Sequence, residues 1–365
     1  MASPLQSLLV ADENFTVYSF VSVVEGIIKI LIVYLLFILE GNKLIIYSVL
    51  LLFVTVTINL FYLIYVIRKY KELKLKKVKD KNDFFEVLGY MNWNLIGAIG
   101  QILKGQGINV IMNIFFGVTI NAARGIAIQL STVVSNFSQN FMKAIEPQIM
   151  KKYAIGNNSM LDKVLYSSSK VSFFMLYIVS FPLILGMDFI ISLWLGNSVP
   201  DYTAVFSKLI LIDWLLISFT EPIGTAVQAT GRVKYYQIFV GTFILLNLPL
   251  TYLALKISNN PLVPFYVALV LSLMVSCSRI MVFRYLNRGF NINNYLKFVL
   301  LPIGLVVLFS LLAYIVLPNP NNFFSFVLNS ILILCYILVL IFLLGLSSEE
   351  RKHIFMLLNM KKEKL

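Results

Sequence analysis

Long apolar segments separated by short polar gaps recur along the whole chain. A helix of about 20 mostly apolar residues is long enough to cross a bilayer, and ten segments meet this requirement. We expect spans near residues 17–39, 44–67, 88–116, 119–147, 164–190, 204–227, 235–256, 262–284, 297–317 and 323–346. The pattern therefore predicts an all-α polytopic membrane protein with about ten transmembrane helices.

Lysine and arginine residues are concentrated in alternate gaps between these predicted spans. Of the 30 such residues, 23 lie in one set of loops, namely 68–81, 142–170, 231–234, 284–297 and the tail 351–364. The opposite loops contain Lys43 and Lys256. Because these residue types accumulate on the cytoplasmic side of a membrane, we expect both termini in the cytoplasm. The net charge of +13 then reflects topology, and we expect no nucleic-acid partner.

Composition and motifs exclude several classes of protein. Only 13% of the residues are charged, against about 25% in soluble domains. The single histidine, His353, lies in the polar tail, so no histidine-containing metal centre is expected. The sequence lacks nucleotide-binding and hydrolase motifs, and GQG at 105–107 is no dinucleotide fingerprint. We therefore expect no enzymatic activity, no metal and no cofactor.

The basic run at 68–81 divides the chain, because two predicted spans precede it and eight follow. We expect four parts. Residues 1–67 form what remains of an N-terminal helical bundle, and 68–83 form a basic cytoplasmic linker. Residues 84–284 form a C-terminal bundle of six helices, and 285–365 add two further helices and a basic tail.

A weak internal repeat relates residues 3–20 to 221–238 with an offset of 218. The identical pairs are Pro4 and Pro222, Ala11 and Ala229, Tyr18 and Tyr236, Tyr34 and Tyr252, and Leu35 and Leu253. Internal repeats of this kind are frequent in transporters. The offset predicts that the chain begins inside a helix of its first bundle, and that an intact version has fourteen spans, as six, six and two.

Two neighbouring predicted spans carry unusually many amides and cations. Charged groups near the bilayer centre are costly and persist where they face water or a partner. Gln106, Asn109 and Asn113 lie on one helix face. On the next span, Asn136 shares a face with either Gln139 or Asn140. With Lys104 and Arg124, the two polar stripes predict a water-filled cavity. Structural pairing of amides between helices is the open alternative.

The segment NWNLIGAIGQILKGQGINVIMNIFFGVTINAARGIAIQLSTVVSNFSQNFMKAIEPQIMKKYA, residues 92–154, resembles bacterial polysaccharide exporters. These belong to the multidrug/oligosaccharidyl-lipid/polysaccharide (MOP, MATE-like) superfamily, and the chain looks most like its O-antigen or capsule repeat-unit flippases. GQGINVIMNIFFG and NAARGIA are the most specific stretches. SPLQSLLVADENF, residues 3–15, looks like the end of the family's fourth helix. The resemblance implies an N-terminally truncated member, the remnant of a two-bundle fold with six, six and two helices.

The resemblance also implies a function. Two bundles would enclose a cavity that opens alternately to each side and moves an undecaprenyl-diphosphate-linked oligosaccharide to the outer leaflet of the bacterial cytoplasmic membrane. Arginine suits phosphate oxygens and amides suit sugar hydroxyls. Lys104 and Arg124 are then candidates for the anion, with Gln106, Asn109, Asn113, Asn136, Gln139 and Asn140 as lining. Implied partners are the lipid-linked substrate, membrane lipids and other polysaccharide-assembly membrane proteins.

Three alternatives differ from this interpretation. A cation-coupled multidrug exporter of the same fold would need unpaired carboxylates in the cavity. A membrane-bound polymerase would need a long outer loop with clustered catalytic groups, and the longest outer gap, near 191–203, has only Asp201 as a charge. A non-transporting fragment is the third alternative, because most of the first bundle is expected to be missing.

Overall fold

The computed structural model describes residues 8–9, 12, 15–38, 40–70, 81–196, 199–316 and 322–352, and regular structure within these ranges is entirely helical. Three sequence features fall largely outside the described residues. They are the start of the repeat at 3–7, the linker residues 71–80 and the basic tail at 353–365. Contacts between residues divide the chain into two units, Met1–Phe84 and Phe85–Leu365.

The first unit contains two long apolar helices, α1 (Phe15–Ile38) and α2 (Lys43–Lys69). The side chain of Asn42 begins α2 by accepting hydrogen bonds from the amides of Leu44 and Ile45, which satisfies two of the free N–H groups at a helix start. Buried residues, including the fully buried Tyr62, join the two helices.

The remaining helices build the second unit, whose boundary lies in the first turn of α3. They are α3 (Lys81–Ile102), α4 (Ile108–Ala154), α5 (Asn158–Leu185), α6 (Met187–Leu195), α7 (Thr203–Ser218), α8 (Glu221–Ala229), α9 (Val233–Tyr236), α10 (Thr242–Ile257), α11 (Val263–Leu286), α12 (Ile292–Tyr295), α13 (Leu301–Val316) and α14 (Phe323–Leu340). Four π-helical turns extend or join these helices, at Leu103–Gly107, Gln237–Gly241, Leu296–Leu300 and Ile341–Gly345.

α3, the turn at Leu103–Gly107 and α4 form a helical hairpin that reverses within α4. They give a continuous run of 67 residues, Leu88–Ala154, which would be about 100 Å long if straight. The run is broken at Gly117, whose φ of 78° and ψ of −175° are not helical and are accessible almost only to glycine. Arg124 contacts both Gly105 and Asn109, so the chain reverses at Gly117 and the run supplies two spans.

A second broken span, made of α7 and α8, accounts for the rest of the difference between the ten predicted spans and the eight helical runs in the described residues. Eight helical runs in the described part are long and apolar enough to cross a membrane, and α7 with α8 makes a ninth, bent by 43°. Pro222 occupies the first turn of α8, where proline is tolerated because its missing N–H needs no partner. With the hairpin counted as two spans, the prediction of an all-α polytopic membrane protein with about ten helices is confirmed.

The last two long helices are attached to the bundle through α5. The Tyr177 hydroxyl of α5 is hydrogen-bonded to Ser310 of α13. Glu350, beyond the end of α14, has its carboxylate 2.5 Å from the ammonium of Lys170 on α5. The Lys170 side chain is only 4% exposed. Residues 347–352 are thereby joined to α5.

α10 packs closely against the π-helical turn that ends α3. A Cβ atom added at Gly107 would overlap Cδ1 of Leu248. Only glycine permits so close an approach without displacing the leucine. This contact places the turn of α10 around Leu248 beside the LKGQG turn at Leu103–Gly107.

Candidate functional site

A cavity of about 460 Å³ lies in the second unit, between α3, α4, α7, α8, α10 and α11. Its wall combines apolar side chains with amides, hydroxyls and ionisable groups. The ionisable groups are Lys104, Arg124, Asp213, Glu221 and Arg279. With all five ionised, the cavity wall has a net charge of +1. Charged groups inside a membrane-spanning bundle normally face a partner or a water-filled space, and here they share one space.

Lys104 is already neutralised by a carboxylate. Its ammonium lies 3.7 Å from Asp213, and both side chains are partly buried, at 24% and 19% exposure. Asp213 also accepts a hydrogen bond from the hydroxyl of Ser272 on α11. The pair links the turn at Leu103–Gly107 to α7 and, through Ser272, to α11. A ligand anion would have to compete with Asp213 for Lys104.

Arg124 is in a different situation. Its side chain is only 8% exposed and donates hydrogen bonds to the side-chain oxygen of Asn109 and, at 3.4 Å, to the carbonyl of Gly105. Both partners are neutral, and among the described residues no carboxylate lies within 4.0 Å of the guanidinium. A buried charge normally has an opposite charge beside it. The Gly117 hairpin therefore places an uncompensated cation at the cavity wall.

Arg279 has a structural task in the broken span. Its guanidinium donates to the Thr220 hydroxyl at 3.3 Å and to the Ile217 carbonyl at 3.5 Å. These groups lie where α7 ends, and a cation there is favoured by the free carbonyls and the helix dipole. A further hydrogen bond, 3.1 Å long, goes to the hydroxyl of Tyr236. Arg279 thus holds the bend between α7 and α8.

A second cavity, of about 350 Å³, adjoins the first. Gln139, Glu221 and Arg279 line both cavities and separate them. The second cavity adds Lys143 and Glu146 from α4. The polar space therefore continues along α4 from the level of Arg124 past the bend between α7 and α8.

The predicted site residues fall into three groups. Lys104, Arg124 and Gln139 line the 460 Å³ cavity. Asn109 lies behind Arg124 and donates to the side-chain oxygen of Gln106 at 3.1 Å, so these two amides orient the guanidinium. Three others do not line this cavity and have exposed side chains, namely Asn113, Asn136 and Asn140.

Several polar residues at the cavity received no role from the sequence, among them Asp213, Glu221, Arg279 and Asn247. The first three are single charges at probable span ends or interior faces, and their positions in the sequence did not show that they share one cavity. Asn247 is a lone amide in the run FILLNLPL, where nothing distinguishes it from a structural amide.

Metal binding and known relatives give no further assignment. Among the described residues, no three His, Cys, Asp or Glu side chains lie together as a metal site would need. No protein-family model, curated protein or solved structure matches the chain. The helices make it a multi-pass, transporter-like membrane protein, and the resemblance to the flippase family stays a prediction.

Proposed function

We propose that this protein moves an undecaprenyl-diphosphate-linked oligosaccharide from the cytoplasmic to the outer leaflet of a bacterial cytoplasmic membrane, for O-antigen or capsular polysaccharide. Both termini would face the cytoplasm. The 460 Å³ cavity would hold the diphosphate and the adjoining sugars, and movement would follow from alternating access.

The uncompensated charge of Arg124 is the observation that carries this proposal. A buried cation without a carboxylate is destabilising in the empty protein and is relieved when an anion enters. Its planar donors match phosphate oxygens. Arg124 keeps two neutral partners that fix its position, so the guanidinium is already oriented before a ligand binds.

Asp213 and Glu221 favour a second candidate function, that of a cation-coupled exporter of organic cations. Both carboxylates line the cavity, and among the described residues Glu221 has no basic side chain within 4.0 Å. Carboxylates in a wet cavity can bind protons or cations. The net positive wall argues against a cationic cargo, and we therefore place the lipid-linked anion first.

Transport can be tested with the full chain in proteoliposomes. The substrate would be a prenyl-diphosphate-linked disaccharide with a fluorophore on the sugar, and a membrane-impermeant quencher would report the leaflet, with and without an imposed proton gradient. We expect the chain to accelerate movement over empty vesicles. Arg124→Gln should slow it about tenfold or more, because a hydrogen bond to a charged group contributes about 1.5–3 kcal/mol.

Arg232→Gln is the matched control, since it removes the same charge from the loop before α9, outside both cavities. It should transport like the unaltered chain. Equal rates for Arg124→Gln and Arg232→Gln would contradict the anion site. Movement of ethidium but not of the lipid-linked sugar would favour the cation exporter, and movement of neither would favour a non-transporting chain.

A further inference from the structure

One polar side chain at the cavity has an unused donor. Asn247 on α10 is 1% exposed, and its amide Nδ2 is buried without a hydrogen-bond partner among the described residues. One turn further along the same face, the hydroxyl of Thr251 is also buried and without a partner there. Buried amides and hydroxyls are almost always hydrogen-bonded, because leaving them unpaired costs free energy. Asn247 lines the cavity, so a ligand bound there can supply the missing acceptor.

The cavity is the space from which such a partner would come. Phe243, Ile244 and Asn247 lie on one face of α10, and all three line the cavity. Asn247 is therefore the polar residue of α10 that lines the same space as Arg124.

The LKGQG turn brings Asn247 and Arg124 to the same level of the cavity. Leu248, next to Asn247, packs against Gly107 at one end of this turn. Arg124 reaches the carbonyl of Gly105 in the middle of the turn, at 3.4 Å. Lys104, also in the turn, lines the cavity with them. Asn247 on α10 and Arg124 on α4 thus both lie beside this turn.

The chemistry of these donors selects the ligand. An amide N–H and a guanidinium both require acceptors, and the positive charge of Arg124 disfavours a cation. A phosphate or diphosphate offers several acceptor oxygens with a negative charge. We propose that Asn247 is the second donor of the anion site and hydrogen-bonds a phosphate oxygen of the lipid-linked substrate, while Arg124 neutralises its charge. This inference rests on the proposed function.

The test uses the fluorescence of Trp214, which lines the cavity. With Trp93→Phe and Trp194→Phe, it is the one remaining tryptophan of the three. The detergent-solubilised full chain would be titrated with farnesyl diphosphate, farnesol and inorganic diphosphate. We expect farnesyl diphosphate to bind much more tightly than farnesol. Asn247→Leu keeps the side-chain shape and removes the donor, and it should weaken diphosphate binding about tenfold.

Thermal unfolding separates binding from folding. Because Asn247→Leu removes an unpaired buried donor, its unfolding temperature should equal or exceed that of the unaltered chain. Asn247→Asp places a negative charge beside the phosphate and should weaken binding about a hundredfold. Asn329→Ala, on α14 away from the cavity, is the control for removing an amide and should bind normally.

The possible failures can be distinguished. If the unaltered chain does not bind farnesyl diphosphate, or if Arg124→Gln binds it equally well, the proposed function fails. If Arg124→Gln loses binding but Asn247→Leu keeps it within twofold, only the role of Asn247 is overturned. A lower unfolding temperature of Asn247→Leu would also overturn it, since Asn247 would then have a partner in the empty protein. Equal affinity for inorganic diphosphate would overturn the lipid-linked ligand.

Discussion

Replacing Asp213 by asparagine should strengthen anion binding rather than weaken it. Asp213 holds Lys104 at 3.7 Å, so an incoming phosphate must compete for the ammonium. Asparagine has the same shape and can still accept the hydrogen bond from Ser272. The substitution therefore removes the competing charge and preserves the local packing.

The size of the effect follows from the geometry of the pair. Two unit charges 3.7 Å apart attract by about 4.5 kcal/mol at an effective dielectric constant of about 20. Both side chains are partly exposed, so water compensates much of this loss when they separate. We expect a net gain of about 1.4–2.7 kcal/mol in anion binding, which is about tenfold to a hundredfold in affinity.

The assay is the titration of Trp214 fluorescence with farnesyl diphosphate. Asp188→Asn is the matched control, because Asp188 pairs with Lys208 at 2.7 Å and lies outside the 460 Å³ cavity. It should leave the affinity unchanged. An unchanged or lower affinity in Asp213→Asn would refute the reasoning, and Lys104 would then have no part in anion binding.

Two further predictions concern stability. Burial alone would raise the pKa of Glu350, but hydrogen bonds from Lys170 and from the backbone N–H of Ser347 hold it below its ordinary value. Ionised Glu350 therefore stabilises the fold above a pH of about 4.3 and loses this effect as the pH falls through its lower folded pKa. Glu350→Gln should lower the unfolding temperature at pH 7, and the difference from the unaltered chain should shrink by pH 3; a constant difference would contradict this. Gly107→Val should destabilise the protein by about 1–3 kcal/mol, since its Cβ atom alone would overlap Leu248. In chemical denaturation, Leu248→Ala should restore part of that loss, and no restoration would mean that the overlap is not the cause.

Much of the fold follows from the pattern of apolar residues. The length of each apolar run sets the number of spans, because a bilayer requires about 20 residues whatever the family. The break between the third and fourth spans was also predictable, since no single span could cover residues 88–147. Its sharpness at Gly117 depends on one backbone conformation, which the sequence alone does not show.

The candidate site was less predictable, because helix periodicity does not say which face meets which partner. Lys104 and Arg124 both suggested anion binding, yet Lys104 pairs with Asp213 from a helix about a hundred positions later in the chain. Asn113, Asn136 and Asn140 share helical stripes with cavity residues but are exposed. Asn247 carries no local signal, and its unpaired amide is visible only once α10 packs beside the LKGQG turn.

Photolabelling would test the proposed anion site most directly. A prenyl-diphosphate-linked sugar with a diazirine next to the diphosphate would be added to the full chain in proteoliposomes, irradiated and mapped by mass spectrometry. We predict labels on the cavity-facing turns around Arg124 and Asn247, competed by unlabelled farnesyl diphosphate and lost in Arg124→Gln. Labels that are spread over lipid-exposed helices and are insensitive to both the competitor and Arg124→Gln would contradict a phosphate site in this cavity.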